Sequence, residues 1–88
     1  MTVGILGLGL IGGSLARAYA KAGHTVYAAD TDESILTFAQ IAGVVNTPLT
    51  CDNIGDCQLI LLSIYADASA NWLECHAKHI CKDALVID

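Results

Sequence analysis

Three glycines near the start of the chain, Gly7, Gly9 and Gly12, constrain its fold more than any other feature. They have the spacing Gly-x-Gly-x-x-Gly and directly follow residues 2–6, a largely apolar run typical of a buried parallel strand. Such a strand has to turn sharply into a helix, and glycine allows the backbone angles that this turn needs. The sequence therefore predicts a strand, a turn and a helix, with residues 7–12 forming what we call the glycine turn.

The start of the predicted helix has the properties of an anion site. The main-chain N–H groups of Leu10, Ile11 and Gly12 have no acceptor within the helix, and the helix dipole adds partial positive charge there. Gly9 lacks a Cβ, so a pyrophosphate can approach the main chain, and Gly12 lets the helix pack close to the strand. We therefore expect the glycine turn, Leu8 included, to bind the diphosphate of a dinucleotide.

An acidic residue, Asp30, follows the next apolar run, residues 25–29. A carboxylate at the end of the second strand can accept hydrogen bonds from both hydroxyls of the adenosine ribose. NADP has a phosphate at that position, which the carboxylate repels, and Thr31, Asp32 and Glu33 offer no basic side chain to neutralise it. We therefore expect NAD rather than NADP as the cofactor. The alternative is a glycine-rich turn in an unrelated α/β protein, with Asp30 capping the next helix.

The rest of the chain alternates between helical and strand patterns. The first helix is predicted to end at Gly23, a second to span residues 32–42 with Thr31 or Asp32 as its cap, and a third to follow the fourth strand. The other predicted parts are a loop over 46–57 with at most a short third strand, a central strand over 59–64 and a fifth strand over 84–87. The predicted fold class is α/β, a Rossmann-like doubly wound parallel sheet of strand order 3-2-1-4-5, truncated after the fifth strand. It forms one domain over residues 1–88.

Apolar spacing also predicts which helix faces are buried. The predicted buried positions are Ile11, Leu15, Ala18 and Ala22 in the first helix; Ile35, Leu36 and Ala39 in the second; and Ala66, Ala70, Leu73, Ala77 and Ile80 in the third.

In a doubly wound sheet, ligands bind where the strand order reverses, here between the first and fourth strands. Gly7, Ser63, Ile64 and Tyr65 belong at that crevice, and we expect the main chain at Ser63 and Ile64 to pass near the nicotinamide ribose. Two interpretations of Ser63 stay open: its hydroxyl donates a hydrogen bond to cofactor or substrate, or it satisfies a local backbone group. Tyr65 is expected to pack or to form a wall of the site, rather than to act as an acid catalyst.

Composition excludes several classes of function. The net charge is −5 with only four lysines and arginines, which is too few to neutralise a nucleic-acid backbone. No apolar stretch has membrane-spanning length, so we expect no membrane partner and a cytoplasmic protein. The four cysteines and the nearby histidines lack zinc-ligand spacing, so we expect reduced, partly buried thiols and no metal site. The cysteines are Cys51, Cys57, Cys75 and Cys81.

Residues 3–16, Val-Gly-Ile-Leu-Gly-Leu-Gly-Leu-Ile-Gly-Gly-Ser-Leu-Ala, resemble the prephenate/arogenate dehydrogenases of tyrosine biosynthesis. The similarity continues through residues 23–26, Asp30 and residues 84–88. It implies an oxidoreductase that uses NAD or NADP to oxidise the ring hydroxyl of prephenate or arogenate as a small-molecule substrate. With prephenate, the ring carboxylate leaves as carbon dioxide and the product is 4-hydroxyphenylpyruvate. The resemblance assigns cofactor binding to the glycines of the glycine turn and to Asp30.

The chain departs from that family in two places. Ser63, Ile64 and Tyr65 stand where the family usually has an apolar residue followed by Thr-Pro or Val-Pro, and no position matches the family's Ser-Val-Lys segment or its catalytic histidine. The catalytic residues therefore remain unknown, and none of the three histidines is assigned.

We expect the chain to be the N-terminal NAD-binding part of a longer enzyme, a homodimer, whose C-terminal helical substrate and dimerisation domain is absent from it. The 88 residues alone should show no turnover. Two alternatives stay open: another NAD-dependent dehydrogenase of the hydroxyacid or imine type, and a non-catalytic nucleotide-sensing module.

Overall fold

The computed structural model describes residues 1–64 and 66–87, so the expectations for Tyr65 and Asp88 lie outside the described residues. Five strands form one sheet in the order β3-β2-β1-β4-β5, which confirms the predicted fold class and strand order. The strands are β1 (Thr2–Leu6), β2 (Thr25–Ala29), β3 (Thr47–Pro48), β4 (Leu59–Leu62) and β5 (Leu85–Ile87). The helices are α1 (Leu10–Lys21), α2 (Glu33–Ile41) and α3 (Ala66–His76), with 3₁₀ turns at Ile54–Asp56 and Ala77–His79.

The strand register brings the carboxyl ends of the three central strands to the same level. All of the paired strands are parallel, and Leu6 at the end of β1 lies opposite Ala29 of β2 and Leu62 of β4. The residues that follow these ends therefore meet at one edge of the sheet. Asp30 and Ser63 consequently lie on either side of Gly7.

The two faces of the sheet carry separate apolar cores. On one face, buried residues such as Ile5 and Val26 pack with α1 and α2, through side chains that include Leu15 and Leu36. On the other face, buried residues such as Ile60 pack with α3. Because helices cover both faces, the strands are apolar without alternation, and every residue of β4 is buried.

The predicted buried face of α1 is wrong in part. Ile11 is 68% exposed, and Ala18 and Ala22 are also exposed, whereas the fully buried helix positions are Gly12 and Ala16. The reason is the close approach of α1 to the sheet, which leaves room only for the smallest residues at the contact. Leu15 packs beside them as a partly buried residue, as predicted.

The other two helices differ from prediction in detail. In α2, Leu36 and Ala39 pack on the core as predicted, but Ile35 is 42% exposed. The predicted α3 residues Leu73 and Ile80 do pack on the core. Ala70 is exposed, and its neighbour Ser69 is the buried residue in that part of α3. Ala77 is also exposed, because the α-helix ends at His76 and a 3₁₀ turn changes the spacing that follows.

The predicted loop over residues 46–57 contains more regular structure than expected. Thr47–Pro48 pairs with β2 as the edge strand β3, and Ile54–Asp56 forms a 3₁₀ turn. Side chains complete the backbone hydrogen bonding here: Asn46 Oδ1 accepts from Val26 N–H at 2.8 Å, and Asn53 Nδ2 donates to Pro48 O at 2.8 Å. The edge position explains the proline, which lacks an N–H to donate.

Asp32 is the cap of α2, one of the two residues predicted for that role. Its Oδ1 accepts hydrogen bonds from Ser34 N–H at 2.9 Å and Ile35 N–H at 3.4 Å. Within the described ranges, no helix has the length and apolar character that crossing a bilayer requires.

Candidate functional site

A cleft of about 1090 Å³ lies at the carboxyl ends of β1, β2 and β4. Six of the predicted site residues line it: Gly7, Gly9, Ile11, Asp30, Ser63 and Ile64. The remaining lining comes mainly from apolar residues of the strand ends and of α3. The sheet register thus gathers residues from three separate parts of the chain around one cavity.

Gly7 forms the turn between β1 and α1 and has the positive φ that the sequence predicted, +93°. Its N–H donates to Ala29 O at 2.8 Å, which ties the turn to the end of β2. A Cβ at this position would lie 2.5 Å from Ser63 O and 2.7 Å from Ile64 Cγ2. Glycine is therefore required here by the backbone angle and by the close contact with the end of β4.

Gly9 and Gly12 lie in very different surroundings. A Cβ at Gly9 would meet no atom within 4 Å, whereas a Cβ at Gly12 would overlap the carbonyl oxygen of Gly7. That added Cβ at Gly12 would also lie 3.2 Å from Ser63 Oγ. Gly12 therefore sets the close packing of α1 on the turn, and Gly9 leaves the approach to the helix start open.

The N-terminus of α1 faces this open side. Gly9 is the N-cap residue and has no side chain to cap the helix. The first hydrogen bond of the helix runs from Gly13 N–H to Gly9 O at 2.7 Å, so the N–H groups of Leu10, Ile11 and Gly12 precede the intrahelical ladder. These groups and the helix dipole favour an anion at this position.

Asp30 lies half-buried at the rim of the cleft, with both carboxylate oxygens hydrogen-bonded to main-chain groups. Oδ2 accepts from Leu8 N–H at 2.7 Å, and Oδ1 accepts from Asp32 N–H at 2.8 Å. The sequence placed Asp30 beside the glycine turn but gave no sign of these bonds. The bond to Leu8 depends on the distance between residues 8 and 30, which only the folded chain defines.

Three predicted site residues do not line the cleft with their side chains. Leu8 is 7% exposed and packs in the core, Leu10 is 91% exposed, and Gly12 is buried against the turn. What they can offer a ligand is therefore restricted to the main chain.

The described lining of the cleft contains no basic side chain, so the N-terminus of α1 is its feature that favours an anion. Among its described lining residues, Asp30 is the only one with a charged side chain. Outside the cleft, burial raises the pKa of the Cys57 thiol to about 11, and nearby Asp56 adds to the effect. Burial likewise raises the pKa of Tyr27, with a further contribution from Asp56. Neither group belongs to the cleft.

Sequence reasoning did not predict the other nine lining residues, which include Thr31, Ala68, Trp72 and Ile87. The Trp72 ring stacks on His76 at a centroid distance of 4.5 Å, and His76 Nδ1 lies 2.8 Å from Trp72 O. The helical pattern indicated a partly buried Trp72 but did not indicate its position at the cleft.

Of the four cysteines, Cys57 is buried and the other three are exposed free thiols, rather than partly buried as expected. Within residues 1–64 and 66–87, no group of three or more His, Cys, Asp or Glu side chains is arranged to hold a metal ion.

Comparisons with known proteins agree with this geometry. The model of a protein family described as "NADP oxidoreductase coenzyme F420-dependent" matches residues 2–88. A comparison with curated protein sequences finds no match.

Several solved structures share the fold, and they confirm the resemblance inferred from the sequence. Synechocystis arogenate dehydrogenase is similar at 26% identity and a TM-score of 0.89, over 98% of this chain and 31% of that one. Prephenate dehydrogenase from A. aeolicus, solved in complex with hydroxyphenyl propionate and NAD+, has 21% identity and a TM-score of 0.83, over 98% and 32% of the two chains. An imine reductase of Streptomyces aurantiacus has 25% identity and a TM-score of 0.79, over 98% and 30%. The chain thus spans about a third of the length of these structures.

Proposed function

Because the chain belongs to the family described as "NADP oxidoreductase coenzyme F420-dependent", we propose that the cleft binds a nicotinamide dinucleotide, with NAD preferred over NADP. The observation that carries the proposal is the position of Asp30, whose carboxylate lies 2.7 Å from the main chain of the glycine turn. An acid at this point suits a ribose diol and repels a ribose phosphate.

The residues present fit such a cofactor. The N–H groups at the start of α1 would hold the diphosphate over the open side of Gly9, where a Cβ would meet nothing within 4 Å. Asp30 would accept hydrogen bonds from the adenosine ribose. Ser63 and Ile64, which lie beside Gly7 and Gly12, would border the nicotinamide half. When bound, nicotinamide supplies a hydride acceptor, and the apolar lining of the cleft would exclude water from it.

We further propose that the protein is the cofactor-binding part of a prephenate or arogenate dehydrogenase. Support comes from the residue pattern at 3–16 and from the similarity to the Synechocystis enzyme over nearly the whole chain. In this proposal the substrate-binding and catalytic groups, the homodimer contact and the helical second domain lie outside these 88 residues. A small-molecule substrate and a cytoplasmic location belong to the same proposal.

Binding is tested by calorimetric titration of the protein with NAD and with NADP. We expect NAD to bind and NADP to bind at least about tenfold more weakly, because one unfavourable ionic contact is worth about 1.4 kcal/mol or more. The matched variant Gly9→Val places a side chain on the open side of the turn and should abolish binding of both. Equal affinity for the two dinucleotides would contradict the role assigned to Asp30.

An imine or hydroxyacid dehydrogenase is the second candidate, favoured by the similar fold and 25% identity of the imine reductase. The two candidates are separated by assaying the intact protein for NADH formation with prephenate, with arogenate and with 3-hydroxy acids, and for NADH oxidation with cyclic imines. Turnover with prephenate or arogenate alone supports the first candidate. Turnover only with a hydroxy acid or an imine supports the second.

A further inference from the structure

The Asp30 carboxylate does more in this fold than face the cleft. Each of its oxygens accepts one main-chain hydrogen bond, from Leu8 N–H at 2.7 Å and from Asp32 N–H at 2.8 Å. These are the short distances of charge-assisted hydrogen bonds. An ionised carboxylate has about four acceptor positions, so two remain for a ligand.

One bond joins Asp30 to the glycine turn, 22 residues earlier in the sequence, and the other joins it to Asp32, two residues later. Leu8 belongs to the glycine turn, Asp30 follows β2, and Asp32 is the N-cap of α2. The Leu8 side chain is buried in the core, so this residue is held at both its side chain and its N–H. Its N–H donates a hydrogen bond to Asp30 and therefore has an acceptor in the absence of any ligand.

We propose that Asp30 is a positioning residue, which holds the glycine turn in its binding shape in the absence of cofactor. Its two remaining acceptor positions then face the ribose diol, a part of the inference that rests on the proposed function. The anchoring of the turn does not depend on that function. Leu8 is predicted to bind the cofactor as part of the glycine turn, but its N–H is used in this contact with Asp30, which we call the anchor.

The two hydrogen bonds of Asp30 also strengthen the expected preference for NAD over NADP. A carboxylate held by one oxygen can rotate away from an incoming phosphate, but this carboxylate is held by both. Turning it away from a 2′-phosphate would break two charge-assisted hydrogen bonds, one to the glycine turn and one to the N-cap residue of α2. Rejection of NADP therefore follows from a fixed carboxylate as well as from its charge.

Amide hydrogen exchange, measured by NMR on the cofactor-free protein, tests the anchor directly. In the unaltered protein the Leu8 amide should be protected, whereas the Leu10 and Ile11 amides at the open helix start should exchange rapidly. Asp30→Asn keeps the shape of the side chain but replaces one acceptor oxygen with an NH₂ donor and removes the charge. We expect the Leu8 or Asp32 amide to exchange about tenfold faster or more in this variant, from the usual strength of such a bond.

Asp32→Asn is the matched control. It removes one negative charge two residues away and keeps an oxygen that caps α2, so Leu8 exchange should stay within about twofold of the unaltered protein. Amides of the central strand β4 report whether each variant is folded. If Asp30→Asn does not fold, exchange in the unaltered protein alone tests the anchor. A Leu8 amide that exchanges as fast as the Leu10 amide refutes it.

The same samples are titrated with NAD and NADP, which separates this inference from the proposed function. Protection of Leu8 that is lost in Asp30→Asn supports the anchor even if neither dinucleotide binds, a result that would refute the proposed function alone. If NAD binds but the Leu8 and Asp32 amides both exchange at the same rate in the two proteins, the anchor is refuted and the proposed function stands. If the anchor and the proposed function are both correct, the preference for NAD over NADP should fall at least about tenfold in Asp30→Asn.

Discussion

Replacing Gly9 with alanine should separate cofactor binding from folding. The added Cβ would meet no atom within 4 Å, and the φ of Gly9, −67°, is one that alanine adopts readily. Alanine is a poorer N-cap than glycine, by up to about 1 kcal/mol, but it restricts the unfolded chain by about 0.4–1 kcal/mol. These effects offset each other, so the free energy of unfolding should change by no more than about 0.5 kcal/mol.

Binding should respond quite differently. The new methyl group would lie on the open side of the turn, where the diphosphate is proposed to reach the N–H groups of α1. Loss of one charge-assisted hydrogen bond costs about 1.5–3 kcal/mol, which weakens NAD binding about ten- to a hundredfold. Calorimetric titration with NAD measures this loss, and urea unfolding followed by circular dichroism measures stability on the same sample.

Gly12→Ala is the matched variant with the opposite expected result. Its methyl group would overlap the carbonyl oxygen of Gly7, and because this backbone atom has to shift, the cost should lie at the upper end of the overpacking range, about 3 kcal/mol, against about 1 kcal/mol gained in helix propensity. We therefore expect a clear loss of stability in Gly12→Ala and none in Gly9→Ala. Unchanged NAD affinity in Gly9→Ala would refute the path proposed for the diphosphate. Unchanged stability in Gly12→Ala would refute the close contact between α1 and the turn.

Three further predictions concern stability and the thiols. Asp32→Ala removes the N-cap of α2 and should lower the free energy of unfolding by about 1 kcal/mol in urea, whereas Asp32→Asn should change it little. In the folded protein, a thiol reagent should label Cys51, Cys75 and Cys81 rapidly and the buried Cys57 only after unfolding, and rapid labelling of all four would contradict the described packing. Burial raises the pKa of the Cys57 thiol from 9.0 to about 11, so between these pH values the folded state keeps a proton that the unfolded state loses. The free energy of unfolding should therefore fall as the pH rises from about 9 to 11, and it should fall less steeply in Cys57→Ala.

The strands and their parallel direction could be predicted from sequence because they depend on local patterns, and the strand order followed from the doubly wound fold class that this alternation of elements indicates. Continuous apolar runs such as Leu59–Leu62 are typical of strands covered on both faces, and the helices between them impose parallel crossovers. Gly7 and Gly12 were predicted in their structural roles for the same reason, since the strand before them and the helix after them are adjacent in sequence. The edge strand β3 was harder to predict, because two residues are too few to show an apolar pattern in the sequence.

Helix faces were predicted less well, because periodicity shows where apolar residues recur but not how close the helix lies to the sheet. In α1 the contact at Gly12 is so close that the helix buries its small residues, Gly12 and Ala16, and leaves the larger Ile11 at the cleft. A prediction based on the spacing of large apolar side chains therefore selects the wrong face of the helix. The hydrogen bond from Leu8 N–H to Asp30 could not be predicted at all, since it joins residues from different strand ends.

The charge of the cleft explains why these main-chain features matter for a dinucleotide. The protein carries a net charge of −5, and Asp30 is the one charged side chain among the described lining residues, yet the proposed ligand is an anion. Attraction must then come from the N–H groups and dipole of α1, which act over the first turn of the helix. The two N–H groups bonded to Asp30 stabilise its negative charge at the side where the ribose is proposed to bind. The fold thus places the Asp30 acceptor at the end of β2 beside the proposed anion site at the start of α1, and the hydrogen bond from Leu8 joins the two within one cleft.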